Sequence, residues 1–169
     1  MLSGDGRFVA YCSFAANLVP GDTNTVRDVF VFDRVNRTTV RANESDAGLQ
    51  ADRSSSFPVI SVDGRYVAFE SDATNLVSGD TNGQRDLFLR DLATHQTIRI
   101  ATNATSSGDA NEFWPAISAD ARFIAFRSRD KLAQPAKLTN IQDVFRAEVN
   151  VSGARLEGKL NLSALIGPR

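Results

Sequence analysis

Two short loops carry oxygen donors at matched spacing. Asp22, Asn24 and Asp28 stand in one, and Asp80, Asn82 and Asp86 stand 58 residues further on in the other. Carboxylate and amide oxygens at such short intervals are the hard ligands that Ca²⁺ takes. The same residues also have a structural use. Gly-Asp-Thr-Asn is good turn chemistry, because Asp and Asn side chains bond nearby backbone N–H groups. Asp28 and Asp86 open a strand, where a carboxylate can hold the loop to the sheet. A structural turn is the expected role, with Ca²⁺ as the alternative and no other cofactor expected. A third copy keeps Asn140 and Asp143 but lacks the first aspartate.

Other chemistry finds no constellation in the sequence. There is no Gly-x-Ser-x-Gly nucleophile elbow and no His-Glu-x-x-His metal motif. The single histidine, His95, falls in a turn before a strand and is expected to be exposed there. Ser61-Val62-Asp63-Gly64 does not meet the spacing of a sialidase-type aspartate box. Cys12 is the only cysteine, so it makes no intrachain disulfide and no zinc pattern. A buried thiol in a strand is its expected state. Asn-x-Ser/Thr sequons at Asn36, Asn43, Asn103, Asn150 and Asn161 are expected to be incidental in a chain rich in these residues. No residue is assigned a catalytic role.

The elements that position these loops are repeated. Asp63-Gly64-Arg65-Tyr66-Val67-Ala68-Phe69 echoes Asp5-Gly6-Arg7-Phe8-Val9-Ala10-Tyr11 and returns as Asp120-Ala121-Arg122-Phe123-Ile124-Ala125-Phe126. Arg27-Asp28-Val29-Phe30 returns as Arg85-Asp86-Leu87-Phe88, and Phe57-Pro58 as Trp114-Pro115. A fixed period of this size is a repeat architecture. Each full unit reads as four strands. Val59-Ile60-Ser61 is the first, opened by Pro58, and Tyr66 to Ser71 the second. Asp86 to Arg90 is the third, and Thr97 to Ile100 the fourth. Near-continuous apolar runs in the second and third suit strands covered on both faces. The alternating fourth suits an edge strand. Small four-stranded sheets covered by their neighbours are propeller blades.

The string Ser61-Val62-Asp63-Gly64-Arg65-Tyr66-Val67-Ala68-Phe69-Glu70-Ser71 resembles the WD40-like PD40 repeat of TolB-type β-propellers, over roughly residues 2–149. The Asn-Leu-Val-x-Gly-Asp-Thr-Asn loop resembles a bacterial branch of that group. The resemblance implies all-β blades, usually in a six- or seven-bladed ring used for binding. Ala121 departs from the pattern. Either that turn changes type or an alanine sits in strain.

Net charge is −1 and the hydrophobic fraction is 42%. Neither suggests a footprint for nucleic acid or an anionic membrane. No apolar run approaches membrane-spanning length. Met1 leads straight into a strand and turn, so the chain as written is expected in the cytoplasm, or outside it if a leader was removed.

The blades are expected at 1–56 (blade 1, lacking most of its opening strand), 57–113 (blade 2) and 114–158 (blade 3). A tail follows at 159–169. Three blades leave uncovered faces, so a homodimer closing a six-bladed ring is expected. By the period, Ala154 to Glu157 takes the fourth place of blade 3. The tail is then available as a strand exchanged into the first blade of a partner. The expected function is a non-catalytic binding scaffold that presents loops and a central channel to a protein, peptide or small ligand. The alternatives are a fragment of a larger propeller, or the propeller of a glycan- or peptide-acting enzyme.

Overall fold

The computed structural model describes residues 1–101, 113–128, 143–149, 151–152, 155–156 and 161–164. All regular structure among them is β. Blade 1 is a three-stranded antiparallel sheet of β1 (Phe8–Ser13), β2 (Asp28–Asp33) and β3 (Thr38–Arg41). Blade 2 has β4 (Ser55–Ile60), β5 (Tyr66–Ser71), β6 (Asp86–Asp91) and β7 (Gln96–Ala101) in spatial order. Blade 3 has β8 (Ala116–Ile117), β9 (Phe123–Ser128) and β10 (Asp143–Glu148). A short hairpin of β11 (Val151–Ser152) and β12 (Arg155–Leu156) follows, and β13 (Asn161–Ala164) completes blade 3 beside β10.

The repeated phrase is a clamp written in sequence. Ser61 donates its hydroxyl to Asp63 Oδ1 at 2.5 Å and accepts the Tyr66 N–H at 3.0 Å, which closes the turn. Gly64 sits at φ 75°, and a Cβ there would meet the Phe8 ring at 2.1 Å. Arg65 then reaches across the sheet and donates to both Asp91 oxygens, at 2.9 and 2.7 Å. Arg7 does the same to Asp33, at 3.0 and 2.7 Å. Such bidentate pairs fix geometry as well as adding energy. They pin the last residue of one strand to the start of its neighbour.

Two apolar layers lie between the blades. Ala10, Val29 and Val31 of blade 1 pack against Val67, Phe69 and Phe88 of blade 2. Ala68, Leu87 and Leu89 on the other face of blade 2 pack against Ile124, Phe126 and Phe145 of blade 3. Every residue of β5 and β6 is buried, as their continuous apolar runs require.

Three expectations change, and at Ala121 the structure decides between the two alternatives. The opening strand of blade 2 starts at Ser55 and carries a register shift between Ser56 and Val59, so Pro58 lies inside it. Proline has no N–H for a ladder and is tolerated at a bulge. Phe57, at φ 52°, and Trp114, at φ 47°, hold repeat-equivalent left-handed positions, and their rings stack at 5.7 Å. Second, Cys12 is half-buried rather than buried. The Ala121 turn keeps its type. Its N–H still donates to Ser118 O at 3.0 Å, as Gly64 does to Ser61 O, and the alanine sits at φ 56°. Third, Arg155–Leu156 pairs in the short hairpin, and Asn161–Ala164 takes the fourth place of blade 3 in its own chain. At the other end, the period holds: Leu2 bridges Val9 as Ile60 pairs with Val67.

Candidate functional site

The loop after β1 and the loop after β5 bring their acidic residues to repeat-equivalent places, each beside the last strand of its blade. Each loop closes on an arginine. Arg41 of β3 lies 3.4 Å from Asp22 and 3.8 Å from Asp28. Arg99 of β7 lies 3.0 Å from Asp80 and 3.1 Å from Asp86. The cation between each pair of carboxylates is therefore a guanidinium from the neighbouring strand.

The asparagines serve the same corner. Asn24 donates its side-chain N–H to Asp28 at 3.0 Å and to the Ala51 carbonyl at 2.9 Å. Asn82 donates to both Asp86 oxygens, at 3.0 and 3.1 Å. In blade 1, Asn43 adds a donor to Asp28 at 2.5 Å, bonds Ser55 at 3.0 Å and accepts the Val29 N–H at 3.0 Å. Asn43 is fully buried, so its sequon serves the core. Burial pushes the Asp28 carboxyl above its ordinary range, against the asparagine hydrogen bonds that favour the charge. Burial and the nearby Asp86 charge raise Asp80 likewise.

Asp22, Asn24 and Asp28 thus converge, as do Asp80, Asn82 and Asp86. Among the described residues no three His, Cys, Asp or Glu side chains gather as a metal-holding group. Asn140 and the Asp143 side chain lie outside the described residues. Sequence reasoning missed Arg41, Asn43 and Arg99. A signal existed for the arginines, which stand 58 residues apart like the acids they face.

The blade 1–blade 2 junction also holds two hollows beside β3. One, of about 380 Å³, lies among Phe8, Val31, Val40, Arg65 and Leu92. The other, of about 260 Å³, lies among Pro20, Thr39, Arg41, Glu44, Arg90 and His95. Arg90 is 1% exposed. Its Nη1 donates to the carbonyls of Glu44, Ser45 and His95 and to the Thr97 hydroxyl, at 2.9–3.1 Å. Desolvation lowers its pKa from the usual arginine value. His95 is exposed in its turn at φ 57°, and its backbone carbonyl is one of those acceptors.

No protein-family model matches the chain, and none of the curated proteins does. Solved structures decide the fold. A TolB-type protein from Agrobacterium tumefaciens superposes with TM-score 0.56 at 20% identity, over 98% of this chain and 47% of that one. TolB from Acinetobacter baumannii gives 0.54 at 16% identity, over 97% and 30%. The fold is that of a TolB-like β-propeller. The tricorn protease shares it, with TM-score 0.53 at 13% identity over 88% of this chain and 13% of that one. The chain spans less than half the length of these structures.

Proposed function

We propose that this TolB-like chain is a non-catalytic binding scaffold, recognising a protein or peptide through its blade edges and loops. The supporting observation is how its polar groups are spent. The carboxylates of the acidic loops are engaged by Arg41, Arg99 and three asparagines, while the outer edge of β3 stands open beside two hollows. Groups committed to internal pairs hold a frame, and an open strand edge is what recognition uses. The test is a random-heptapeptide display screen on the folded chain, followed by incubation with fluorogenic peptides and aryl glycosides. Enriched peptides that bind in solution and no product above buffer are expected. Turnover would transfer the reading to the enzyme class.

Self-association belongs to the same proposal. Val9, Tyr11 and Phe32 form a half-buried apolar face on the side of blade 1 away from blade 2, and Val144 is 41% exposed on blade 3. A second copy covering these faces would extend the two interblade layers already present. Sedimentation is expected to give twice the 18.3 kDa monomer mass. A monomer at micromolar concentration removes this part of the proposal.

A further inference from the structure

The larger hollow between blades 1 and 2 owes its space to three small residues. Val31, Val40 and Gly64 line it. At the junction of blades 2 and 3 the same places of the repeat hold Leu89, Ile98 and Ala121, each one carbon larger. Leu89 and Ala121 are fully buried there, and Ile98 packs against the same cluster. Val40, by contrast, is 48% exposed. The walls come from both blades: Phe8, Val31 and Val40 from one, and Asp63, Arg65 and Leu92 from the other. A volume of about 380 Å³ lies at the small end of ligand clefts and suits one long side chain.

Three charged residues line the hollow, and two are already spent. Asp33 receives both forks of Arg7, at 3.0 and 2.7 Å. Arg65 gives both of its forks to Asp91, at 2.9 and 2.7 Å. Asp63 differs. Its Oδ1 accepts the Ser61 hydroxyl and the Arg65 backbone N–H, which are neutral donors, at 2.5 and 3.0 Å. Its Oδ2 has no partner and its charge no ion pair among the described residues. The hollow is thus an apolar slot of Val31, Val40 and Leu92 with one uncompensated negative charge at its rim.

We infer that this hollow is an anchor site for a lysine side chain of a partner polypeptide. A lysine lays an apolar four-carbon stem along apolar surface and keeps its ammonium at a polar rim. The stem matches the valine and leucine walls, and the ammonium meets Asp63 Oδ2. A guanidinium fits less well. Its fork takes two carboxylate oxygens together, and the turn already occupies Oδ1 of Asp63. This inference rests on the binding-scaffold reading and names the pocket and the partner chemistry.

The probe is the blocked tripeptide acetyl-Ala-Lys-Ala-amide. Added to the ¹⁵N-labelled chain, it is expected to shift the Gly64 and Ala93 amide resonances in a saturable way, since both residues line the hollow. Norleucine in place of the lysine keeps the stem and removes the charge. It is expected to bind about fivefold more weakly, the worth of one partly exposed ion pair. Asp63→Asn keeps the Oδ1 acceptor that the turn needs, and is expected to weaken the lysine peptide by the same factor. Val31→Leu combined with Val40→Ile installs the residues that blade 2 carries, fills the slot and is expected to abolish binding. Should that pair disturb packing, Asp63→Asn still decides. No saturable shift at Gly64 and Ala93 with millimolar peptide, or equal binding by the norleucine peptide, overturns the inference. Should display peptides bind without moving these two resonances, the scaffold reading stands and this inference falls; should no peptide bind anywhere, both fall.

Discussion

Blade 2 is covered on both faces and blade 1 on one, and the same repeated positions behave differently in the two. Position 90 of blade 2 is a buried arginine tied to four acceptors, and its equivalent in blade 1 is the half-buried Phe32. Arg99 sits 3.0–3.1 Å from its two aspartates. Arg41 sits 3.4–3.8 Å from its pair and also serves Glu44 at 3.1 Å and Gln50 at 2.9 Å. The repeat fixes where a side chain stands. The neighbouring blade fixes what that side chain does.

The largest test of this difference is Arg90→Ala against Phe32→Ala. The first removes the donor shared by three carbonyls and the Thr97 hydroxyl at a buried point, where the Glu44 and Ser45 carbonyls keep second donors in Thr97 and Gly48. It is expected to cost about 3 kcal/mol, in the range for breaking a buried charged network. The second removes a half-buried ring and is expected to cost about 1–2 kcal/mol. Urea unfolding of both variants checks the order. Equal losses would mean that blade 2 gains nothing from its cover.

Next in size is the arginine pair. Arg99→Ala takes from Asp80 and Asp86 the guanidinium they share, while Asn82 still donates to Asp86. Because Arg99 is partly exposed, the expected cost is about 2 kcal/mol rather than the full penalty of a buried pair. Arg41→Ala is expected to cost about 1 kcal/mol, since Asn24 and Asn43 still hold Asp28. Adding Asp80→Asn to Arg99→Ala removes the unpaired charge and is expected to restore part of the loss. A double variant worse than the single would show that Asp80 has another role.

Acid separates the two kinds of carboxylate. The Arg7 guanidinium holds Asp33 well below its ordinary value. Burial pushes Asp91 up, but Arg65 and the backbone N–H bonds outweigh it and bring it down. A lowered folded-state pKa contributes stability above the unfolded value, about 3.9, that is lost as pH falls through the folded one. Asp28 and Asp80 are raised, so their contribution is present below about 3.9 and is lost as pH rises through the folded value. Asp33→Asn is therefore expected to flatten the fall in urea midpoint between pH 6 and 3, and Asp80→Asn to steepen it. Parallel curves for the two variants would contradict these environments.

Much of the fold was legible because one short phrase does most of the local work. Ser-x-Asp-Gly-Arg writes the turn and the cross-strand clamp, and the apolar runs of β5 and β6 write their burial. The acidic loops were legible as loops. Their cations were not, because Arg41 and Arg99 are distant in sequence and join the aspartates only when the fourth strand comes alongside. Phe57 was hidden for another reason. A residue before proline is biased to extended backbone, and only the bulge against β5 turns it left-handed. The cap on Thr97, whose N–H donates to Asp46 Oδ1 at 2.7 Å, needed two blades in contact before Asp46 could reach it.

A smaller effect lies in the hairpin turns. Ala121, at φ 56°, occupies the place that Gly6 and Gly64 hold at φ 69° and 75°. The left-handed region costs a Cβ-bearing residue about 1–2 kcal/mol, and glycine adds unfolded-state entropy of about 0.4–1 kcal/mol against that gain. Ala121→Gly is expected to raise stability by about 0.5 kcal/mol. Gly64→Ala is expected to lower it sharply, because its Cβ meets Phe8. If Ala121→Gly destabilises the chain, the buried methyl of blade 3 is a packing contact that outweighs its strain.

The smallest expected effect concerns the residues with the strongest metal-like spacing. A site filled to 100 times its Kd gains about 2.7 kcal/mol. For a chain of this size that is about 5–10 °C in Tm. With Arg41 and Arg99 already between the aspartates, 5 mM CaCl₂ is expected to leave the wild-type Tm unchanged. Arg99→Ala supplies the sharper arm. It leaves Asp80, Asn82 and Asp86 converged without the Arg99 guanidinium, so Ca²⁺ is expected to recover stability in that variant alone. A rise in the wild type would make the arginines bystanders to a metal site. No response in either would show that the corner is too rigid, or too poor in oxygens, to take an ion once its arginine is gone.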